Sequence, residues 1–329
     1  MKMRKVDVIN RLEEKVLAGQ EVTREEAREL GELDGPDLYQ LFAAASRIRD
    51  LRAGTKVDLC SIVNAKSGAC SENCKFCAQS AHHQTEIDIY DLLDEESILE
   101  RALQMEAEGA KRYSLVTSGR GIREGDFVKV LGIYRRLARE TNLKLCASLG
   151  IITEDMARRL KETGVTTYHH NLETAASYFP QICTTHSYQD RINTIKACRA
   201  AGLAICSGGI ISMGESMAQR LEMAFALREL NVQSVPLNIL SPIAGTPLEK
   251  QNVLPPLEIL QTIAIYRFIL PEASLRFAAG RENALRNLQA MGYLAGINAT
   301  LVGSYLTTSG RTVAEDIQMI LDMGLEVEA

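Results

Sequence analysis

Three cysteines stand close together in the segment Gly68-Ala-Cys-Ser-Glu-Asn-Cys-Lys-Phe-Cys. Cys70, Cys74 and Cys77 have the spacing C-x3-C-x2-C. Cysteine thiolates are the usual ligands of iron–sulfur clusters, and three of them on one short loop can hold three irons of a cubane. The fourth iron is then left for a small ligand. The segment therefore predicts a 4Fe-4S cluster with one open iron.

Zinc is the alternative metal for this segment. Structural zinc sites usually have four protein ligands, and no fourth cysteine stands next to the motif. His82 and His83 follow closely, however, and either could supply a ligand. The zinc alternative therefore stays open, although histidines after a loop are more often solvated.

Composition limits the class of protein. The chain has 329 residues, of which 46% are hydrophobic and 24% charged, and its formal net charge is 37 − 42 = −5. This balance is typical of a globular enzyme, and the lack of a basic stripe argues against nucleic acid as the main partner. The charged N-terminus is not followed by an apolar run, and no segment reaches the roughly 18 apolar residues of a membrane span. We expect a cytoplasmic protein, in which the eight cysteines serve metals or catalysis rather than disulfides.

Short apolar runs alternate with amphipathic helical patterns from residue 57 onward. We predict strands at 57–63, 112–117, 144–148, 166–170, 204–211, 234–239, 274–278 and 298–302. We predict helices at 95–108, 126–140, 154–163, 189–201, 216–229, 256–268, 281–291 and 313–323. Such alternation is typical of parallel βαβ units.

The closed arrangement of these units is an α/β fold, a (β/α)8 barrel of the TIM type, over residues 51–329. Residues 1–50 read as an N-terminal helical extension, in which Thr23 and Glu26 form a capping box. An open doubly wound sheet is the alternative. The first strand, however, is not followed by a Gly-rich dinucleotide fingerprint.

The strands carry many polar residues on one face. Because strand side chains alternate between faces, one parity sends a polar set into the barrel. This set is Cys60, Asn64, Arg112, Ser114, Cys146, Ser148, His169, Asn171, Cys206, Ser234, Asn238 and Arg276. Buried polar groups without partners are costly, so we expect the barrel to enclose ligands. A hydrated, hydrogen-bonded core is the alternative.

The cysteine motif, with Phe76 directly before Cys77, resembles the radical S-adenosylmethionine superfamily. From about residue 40 to the end, the chain resembles the biotin synthase family within it. The segments that carry this resemblance are Asn64-Ala-Lys-Ser-Gly-Ala-Cys, His170-Asn-Leu-Glu, Tyr188-Gln-Asp-Arg, Cys206-Ser-Gly-Gly-Ile, Pro236-Leu-Asn, Gly245-Thr-Pro-Leu and Arg276-Phe-Ala-Ala-Gly-Arg. The resemblance implies a sulfurtransferase. Its cluster cleaves S-adenosylmethionine to a deoxyadenosyl radical, and sulfur from an auxiliary cluster enters dethiobiotin at C6 and C9.

The resemblance also assigns roles to individual residues. The positions implied to contact S-adenosylmethionine are Phe76, Glu173, Arg191, Gly208, Gly209 and Ile210. Asn171 and Asn238 would hold the ureido ring of dethiobiotin, since each amide offers both a donor and an acceptor. Thr307 and Thr308 would meet the carboxylate tail, or alternatively form an ordinary turn. Beyond the clusters and the cosubstrate, no catalytic residue is implied.

The auxiliary site departs from the better-known form of the family, which has three strand cysteines and an arginine around a 2Fe-2S cluster. Cys146, Cys206 and Arg276 match that form, but Ser114 takes the place of the third cysteine. In exchange, Cys60 and Cys183 stand where that form has other residues. We therefore expect Cys60, Cys146, Cys183 and Cys206 to bind a four-iron auxiliary cluster, as in the variant found mainly in anaerobes.

Several alternatives stay open at this point. The auxiliary cluster could be of the 2Fe-2S type, and Cys183 could merely pack. Arg276 could be a ligand or a hydrogen-bond donor beside the cluster, and Cys198 is expected to pack within a helix. The implied partners are dethiobiotin, a flavodoxin or ferredoxin as electron donor, and a second copy of the chain in a homodimer. Another radical enzyme, such as a hydrogenase-cofactor maturase, and an iron–sulfur sensor are the competing functions.

Overall fold

The predicted alternation of strands and helices closes into a barrel. A computed structural model of the chain describes residues 5–308 and 310–328. Within them the strands are β1 (Lys56–Lys66), β2 (Arg112–Thr117), β3 (Lys144–Ser148), β4 (Val165–His169), β5 (Ala204–Cys206), β6 (Gly209–Ile211), β7 (Ser234–Ile239), β8 (Ser274–Phe277), β9 (Ala299–Leu301) and β10 (Glu326–Val327). All of their pairings are parallel.

The strand order confirms the (β/α)8 barrel and excludes the open sheet. The strands pair in sequence order, and β9 returns to pair with β1, with Cys60 opposite Leu301. β5 and β6 both pair with β7 and form two halves of one barrel strand, separated at Ser207 and Gly208. A Cβ atom on Gly208 would lie 1.9 Å from the carbonyl oxygen of Pro236. The close approach of these two backbones therefore requires glycine.

Helices cover the outside of the barrel. They are α1 (Lys5–Leu17), α2 (Arg24–Gly31), α3 (Asp37–Arg52), α4 (Glu95–Glu108), α5 (Glu124–Glu140), α6 (Glu154–Glu162), α7 (Phe179–Ile182), α8 (Tyr188–Ala200), α9 (Met217–Glu229), α10 (Pro256–Ile269), α11 (Arg281–Leu285), α12 (Met291–Leu294) and α13 (Val313–Asp322). The single helix predicted over 281–291 is broken. Arg286 has a φ of 52°, a left-handed conformation that interrupts a helix, and a short 3-10 turn follows it.

The first three helices pack on the barrel beside α9 and α10. The capping box predicted at α2 is confirmed, because Glu26 N–H donates to Thr23 Oγ1 at 3.2 Å and Thr23 N–H donates to Glu26 Oε2 at 2.8 Å. Gln261 on α10 donates to the carbonyls of Leu30 and Leu33 at the end of α2. The helical extension is thus tied to the barrel by buried hydrogen bonds.

The strand residues that face the helices are apolar and fully buried, as the alternating pattern predicts. They include Leu59, Val63, Leu145, Val235, Leu237, Leu275 and Phe277. Because this face holds the helices, the opposite face of each strand is free to line the interior. Among the described helices, none is long and apolar enough to cross a membrane.

Candidate functional site

The cysteines of the C-x3-C-x2-C motif lie on the loop between β1 and α4, at the carboxyl end of the barrel. Backbone hydrogen bonds fold this loop: Cys70 N–H donates to Gln79 O at 3.0 Å, Ala81 N–H to Cys70 O at 2.8 Å, and Cys77 N–H to Cys74 O at 3.0 Å. All three cysteines line one cavity. This is the end of the barrel where active sites form.

The chemistry of the loop fits an iron–sulfur cluster. Burial raises the pKa of Cys70, and it raises that of Cys77 to about 11. A bound metal is therefore what would ionise these thiols. His82 Nε2 lies 3.0 Å from Ser71 O, and His83 Nδ1 lies 2.9 Å from Cys77 O. Among the described residues, neither histidine belongs to a group of three side chains close enough to share one metal ion, so the structure gives the zinc alternative no support.

A second loop, which follows β4 and includes α7, lies over the cysteine loop. Lys75 N–H donates to Ile182 O at 3.0 Å. Asn73 Nδ2 donates to Thr184 Oγ1 at 2.7 Å, and Thr184 N–H donates back to Asn73 Oδ1 at 3.0 Å. Cys183 stands between Ile182 and Thr184, so these contacts hold it against the cysteine loop.

Cys183 therefore lies beside Cys74, at the contact between the two loops. The two sulfur atoms and a ring nitrogen of His186 lie within 4.8 Å of one another. His186 Nδ1 is 3.3 Å from Cys183 Sγ and 2.5 Å from Glu72 Oε2. The hydrogen bond with Cys74, aided by that with His186, lowers the pKa of Cys183 to about 3. Cys183 directly follows α7, the short helix that turns the chain back across the barrel mouth.

The strand cysteines form a second group inside the barrel. Cys60 on β1, Cys146 on β3 and Cys206 on β5 are all buried. Burial raises the pKa values of Cys60 and Cys206, and the nearby charge of Arg276 on β8 opposes this rise. Cys60 interacts electrostatically with both of the other cysteines. The structure thus brings together three of the four predicted auxiliary thiols, together with Arg276.

A carboxylate fixes the arginines of this second group. Asp58 Oδ1 accepts a hydrogen bond from Arg276 Nη2 at 2.8 Å, and Asp58 Oδ2 accepts one from Arg112 Nε at 2.6 Å. Arg276 Nη1 donates to the carbonyl of Thr300 at 3.2 Å. Although burial opposes its ionisation, the charges of Arg276 and Arg112 lower the pKa of Asp58 to about 2. Arg276 is therefore held as a cation whose two terminal nitrogens are both engaged.

The side chain of Ser114 gives a separate indication that the strand cysteines hold a ligand. Its side chain is fully buried on β2, in register with Cys146 on β3. Among the residues that the structure describes, its hydroxyl has no hydrogen-bond partner. An unmade hydrogen bond of this kind costs about 1–3 kcal/mol. A sulfide-containing cluster bound by the neighbouring cysteines would give this hydroxyl a hydrogen-bond acceptor. Thiolates are also the usual ligands of such clusters.

One cavity of about 310 Å³ connects the two cysteine groups. Cys77 lines it at the barrel mouth, and Cys60, Cys206 and Arg276 line it in the interior. Most of the remaining lining is apolar, with polar groups at a few positions. A concave site of this kind suits a small, largely apolar molecule with a few polar groups.

Asn171 and Asn238, the two amides expected to bind substrate, both line this cavity. The protein backbone fixes their orientation: Asn171 Oδ1 accepts from Gly208 N–H at 3.2 Å, and Asn238 Oδ1 accepts from Ala279 N–H at 3.1 Å. Asn238 Nδ2 also donates to Gly209 O at 3.2 Å. An amide nitrogen carries two protons, so Asn238 retains one for a ligand.

The residues expected to contact S-adenosylmethionine lie near the cysteine loop. Phe76 and Glu173 line both the cavity of about 310 Å³ and the adjoining cavity of the motif cysteines, and Arg191 lines the latter. Arg191 Nη1 donates to Glu173 Oε1 at 3.3 Å, while its Nε is buried without a partner among the described residues. Ile210 lines the cavity of about 310 Å³. This arrangement has the donors and acceptors that an amino acid or ribose needs.

The glycines of the same segment have a structural explanation. Gly208 lies against the backbone of Pro236, and a Cβ atom on Gly209 would lie 2.5 Å from the carbonyl oxygen of Glu173. Their small size is thus required by the protein's own backbone. Neither glycine is among the residues lining the two cavities described above.

Thr307 and Thr308 also line the cavity of about 310 Å³. They also belong to a turn, because Tyr305 N–H donates to Thr308 O at 2.9 Å. The two interpretations made from the sequence are therefore compatible. Tyr305 holds the start of this turn in place, since its hydroxyl donates to Glu282 Oε1 at 2.6 Å.

Sequence reasoning missed three side chains that contact the predicted site residues or their loops. Asp58 stands two residues before Cys60, so strand alternation could have placed it on the same inward face. His186 follows Cys183 at a spacing used by metal ligands, although nothing in the sequence links either of them to Cys74. Glu72 lies inside the cysteine motif, but its contact with His186 depends on the fold.

Comparisons with known proteins agree with this geometry. Residues 65–227 match the Radical SAM superfamily, and residues 236–326 match the Biotin and Thiamin Synthesis associated domain. The chain is 62% identical to a biotin synthase of Heliobacterium modesticaldum, over 97% of this chain and 98% of that protein. It is 58% identical to a biotin synthase of Pelotomaculum thermopropionicum, over 97% of this chain and 100% of that protein.

Solved structures with low sequence identity share the fold. A methylornithine synthase superposes with a TM-score of 0.83 at 20% identity, covering 97% of both chains. A maturase of FeFe-hydrogenase from Carboxydothermus hydrogenoformans superposes with a TM-score of 0.80 at 17% identity, covering 96% of this chain and 78% of that one. The barrel together with its helical extension is therefore a known architecture.

Proposed function

The chain belongs to the biotin synthase family of radical S-adenosylmethionine enzymes, and on that premise we propose how its residues place dethiobiotin between two iron–sulfur clusters. The reaction is the insertion of sulfur at C6 and C9 of dethiobiotin to form biotin. When bound, the first cluster and S-adenosylmethionine supply a hydrogen-abstracting radical, and the auxiliary cluster supplies sulfur. The observation that carries the proposal is the single cavity lined both by Cys77 and by Cys60, Cys206 and Arg276.

Cys70, Cys74 and Cys77 hold the first cluster in this proposal. Support comes from their position on one hydrogen-bonded loop that faces one cavity. Glu173 and Arg191 bind polar groups of S-adenosylmethionine, and Phe76 covers it from the cysteine loop. The buried Nε of Arg191 is then the donor that acquires a partner when the cosubstrate binds.

Cys60, Cys146 and Cys206 hold the auxiliary cluster. Arg276 lies beside it as a hydrogen-bonding cation, because its terminal nitrogens are engaged by Asp58 and Thr300. If Arg276 is a hydrogen-bond donor and not the fourth ligand, three thiolates are one ligand short for a 2Fe-2S cluster but can hold three irons of a four-iron cluster. We therefore favour the four-iron type, with Cys183 excluded from its ligand set.

Asn171 and Asn238 bind the ureido ring of dethiobiotin, while Thr307 and Thr308 receive its carboxylate tail. The apolar lining between them suits the alkyl chain on which the sulfur is inserted. Reduction of the first cluster requires an outside donor, for which a flavodoxin or ferredoxin is the proposed source.

The experiment that tests this proposal is an anaerobic incubation of the reconstituted enzyme with dethiobiotin, S-adenosylmethionine and a reductant. Biotin is measured by mass spectrometry. We expect biotin from the wild type and from C198A, whose cysteine is buried in α8 away from both groups, and none from C206A. Failure of the wild type to form biotin, or unchanged formation by C206A, would contradict the proposal.

A further inference from the structure

Cys74 lies next to a second cysteine that has no role in the reaction described above. The sulfur atoms of Cys74 and Cys183 are within 4.8 Å of each other, and both cysteines are free thiols. Both side chains are buried, and they pack together with Phe179 of α7. The proposed cluster ligand Cys74 therefore has a thiol neighbour on a loop that is distant in sequence.

The backbone places these two cysteines opposite each other. On one side of the pair, Lys75 N–H donates to Ile182 O at 3.0 Å. On the other side, Thr184 N–H donates to Asn73 Oδ1 at 3.0 Å. The two loops therefore run antiparallel at this point, and residues that face each other in an antiparallel pair have Cα atoms about 4.5–5.5 Å apart. Disulfide-linked cysteines need about 4.4–6.8 Å between their Cα atoms, so the loops can accommodate such a bond without a large backbone movement.

The two sulfur atoms differ in their access to small solutes. Cys74 lines the cavity of the motif cysteines, whereas Cys183 is not among the described residues that line that cavity. Hydrogen-bonding neighbours hold Cys183 behind Cys74, because its Sγ donates to Asn73 Oδ1 at 3.5 Å and lies 3.3 Å from His186 Nδ1. A solute in the cavity therefore meets Cys74 first, and Cys183 is placed to react with Cys74 afterwards.

We propose that, in the iron-free enzyme, Cys183 converts an oxidised Cys74 into a reversible disulfide. A peroxide transfers one oxygen atom to the Cys74 sulfur and is itself reduced to water or an alcohol, which leaves a sulfenic acid. The Cys183 sulfur then bonds to the Cys74 sulfur, the S–O bond breaks, and the hydroxyl leaves with the thiol proton as water. A thiol reductant reopens the disulfide by exchange, so Cys74 is again free to bind the cluster. Without Cys183, a second oxidation gives a sulfinic acid, which thiol reductants do not reverse.

The test treats the iron-free, full-length wild type with hydrogen peroxide and a chelator, blocks the remaining thiols, and maps tryptic peptides by mass spectrometry. Cleavage places Cys70 and Cys74 in peptide 67–75 and Cys183 in peptide 162–191. We expect these two peptides to be linked, with the bond located at Cys74 by fragmentation, and to be separated by dithiothreitol. The same treatment in urea is the control, because an unfolded chain should link cysteines close in sequence, whose short loops close at lower entropic cost. Native protein whose motif cysteines are linked only to each other, or whose Cys74 is not linked to Cys183, would overturn the proposal.

A second measurement tests the protective role of Cys183 in the iron-free C70A/C77A variant, where Cys74 is the only remaining cysteine of the motif. After peroxide and then dithiothreitol, C70A/C77A should regain Cys74 as a thiol, and so should the matched control C70A/C77A/C198A. C70A/C77A/C183A should instead carry a sulfinic acid at Cys74. Equal amounts of sulfinic acid with and without Cys183 would contradict the proposal. Biotin formation by cluster-loaded C183A does not depend on this chemistry, so a failure here is distinct from a failure of the function proposed above.

Discussion

Asp58 on β1 and Arg276 on β8 form a buried ion pair, with Oδ1 and Nη2 2.8 Å apart, directly beneath the strand cysteines. The same carboxylate binds Arg112 on β2 at 2.6 Å. One acid thus joins strands on both sides of β1, and it compensates the buried cation of Arg276 and the partly buried cation of Arg112. This pair holds Arg276 beside three thiols as a charged group, which supports the role of hydrogen-bond donor that we propose for it.

The first prediction concerns the stability of the barrel. Replacing Asp58 by Asn leaves Arg276 and Arg112 without their counter-charge, and breaking a buried ion pair costs about 3–5 kcal/mol. Denaturant unfolding of the iron-free protein measures this loss. D34N is the control, because the Asp34 side chain is 82% exposed and its loss should change stability by less than about 0.5 kcal/mol. Equal stability of the two variants would contradict the role of Asp58.

The second prediction concerns the ligands of the auxiliary cluster. Two four-iron clusters give about eight irons per chain. C60A, C146A and C206A should each retain about four, whereas C183A and the control C198A should retain about eight. Anaerobic iron and sulfide analysis measures these values. A wild-type value of about six would favour a 2Fe-2S auxiliary cluster, and loss of iron in C183A would restore that cysteine to the ligand set.

The third prediction distinguishes the two roles of Arg276. Lysine keeps the positive charge and can still pair with Asp58, but it cannot reproduce the geometry of the guanidinium. R276K should therefore retain the full iron content of the wild type and form biotin more slowly. Iron analysis and a biotin assay on the same sample measure both properties. A loss of auxiliary iron from R276K would identify Arg276 as a metal ligand.

The fourth prediction concerns substrate binding. Removing the amide of Asn238 leaves the ureido group with an unmade hydrogen bond, which costs about 1–3 kcal/mol. N238A should therefore bind dethiobiotin about 5- to 150-fold more weakly, as measured by calorimetry on the cluster-loaded enzyme. N193A, on the exposed face of α8, is the control and should bind normally. Normal binding by N238A would remove Asn238 from the substrate site.

Much of the fold was predictable because its pattern is local. Alternation in the strands placed Cys60, Cys146, Cys206 and Asn238 on the inward face, and the structure brings all four into the interior. The position of Cys183 was not predictable, because it depends on how α7 turns the chain and on hydrogen bonds between loops distant in sequence. Such contacts leave no periodic pattern.

The most direct test of the account follows sulfur from the auxiliary site into the product. The enzyme is reconstituted without oxygen using iron and isotopically labelled sulfide, freed of excess sulfide, and mixed with dethiobiotin, S-adenosylmethionine and reductant in unlabelled buffer. The account predicts labelled biotin from the wild type and none from a variant lacking Cys60, Cys146 and Cys206. Unlabelled biotin from the wild type, or labelled biotin from that variant, would contradict it.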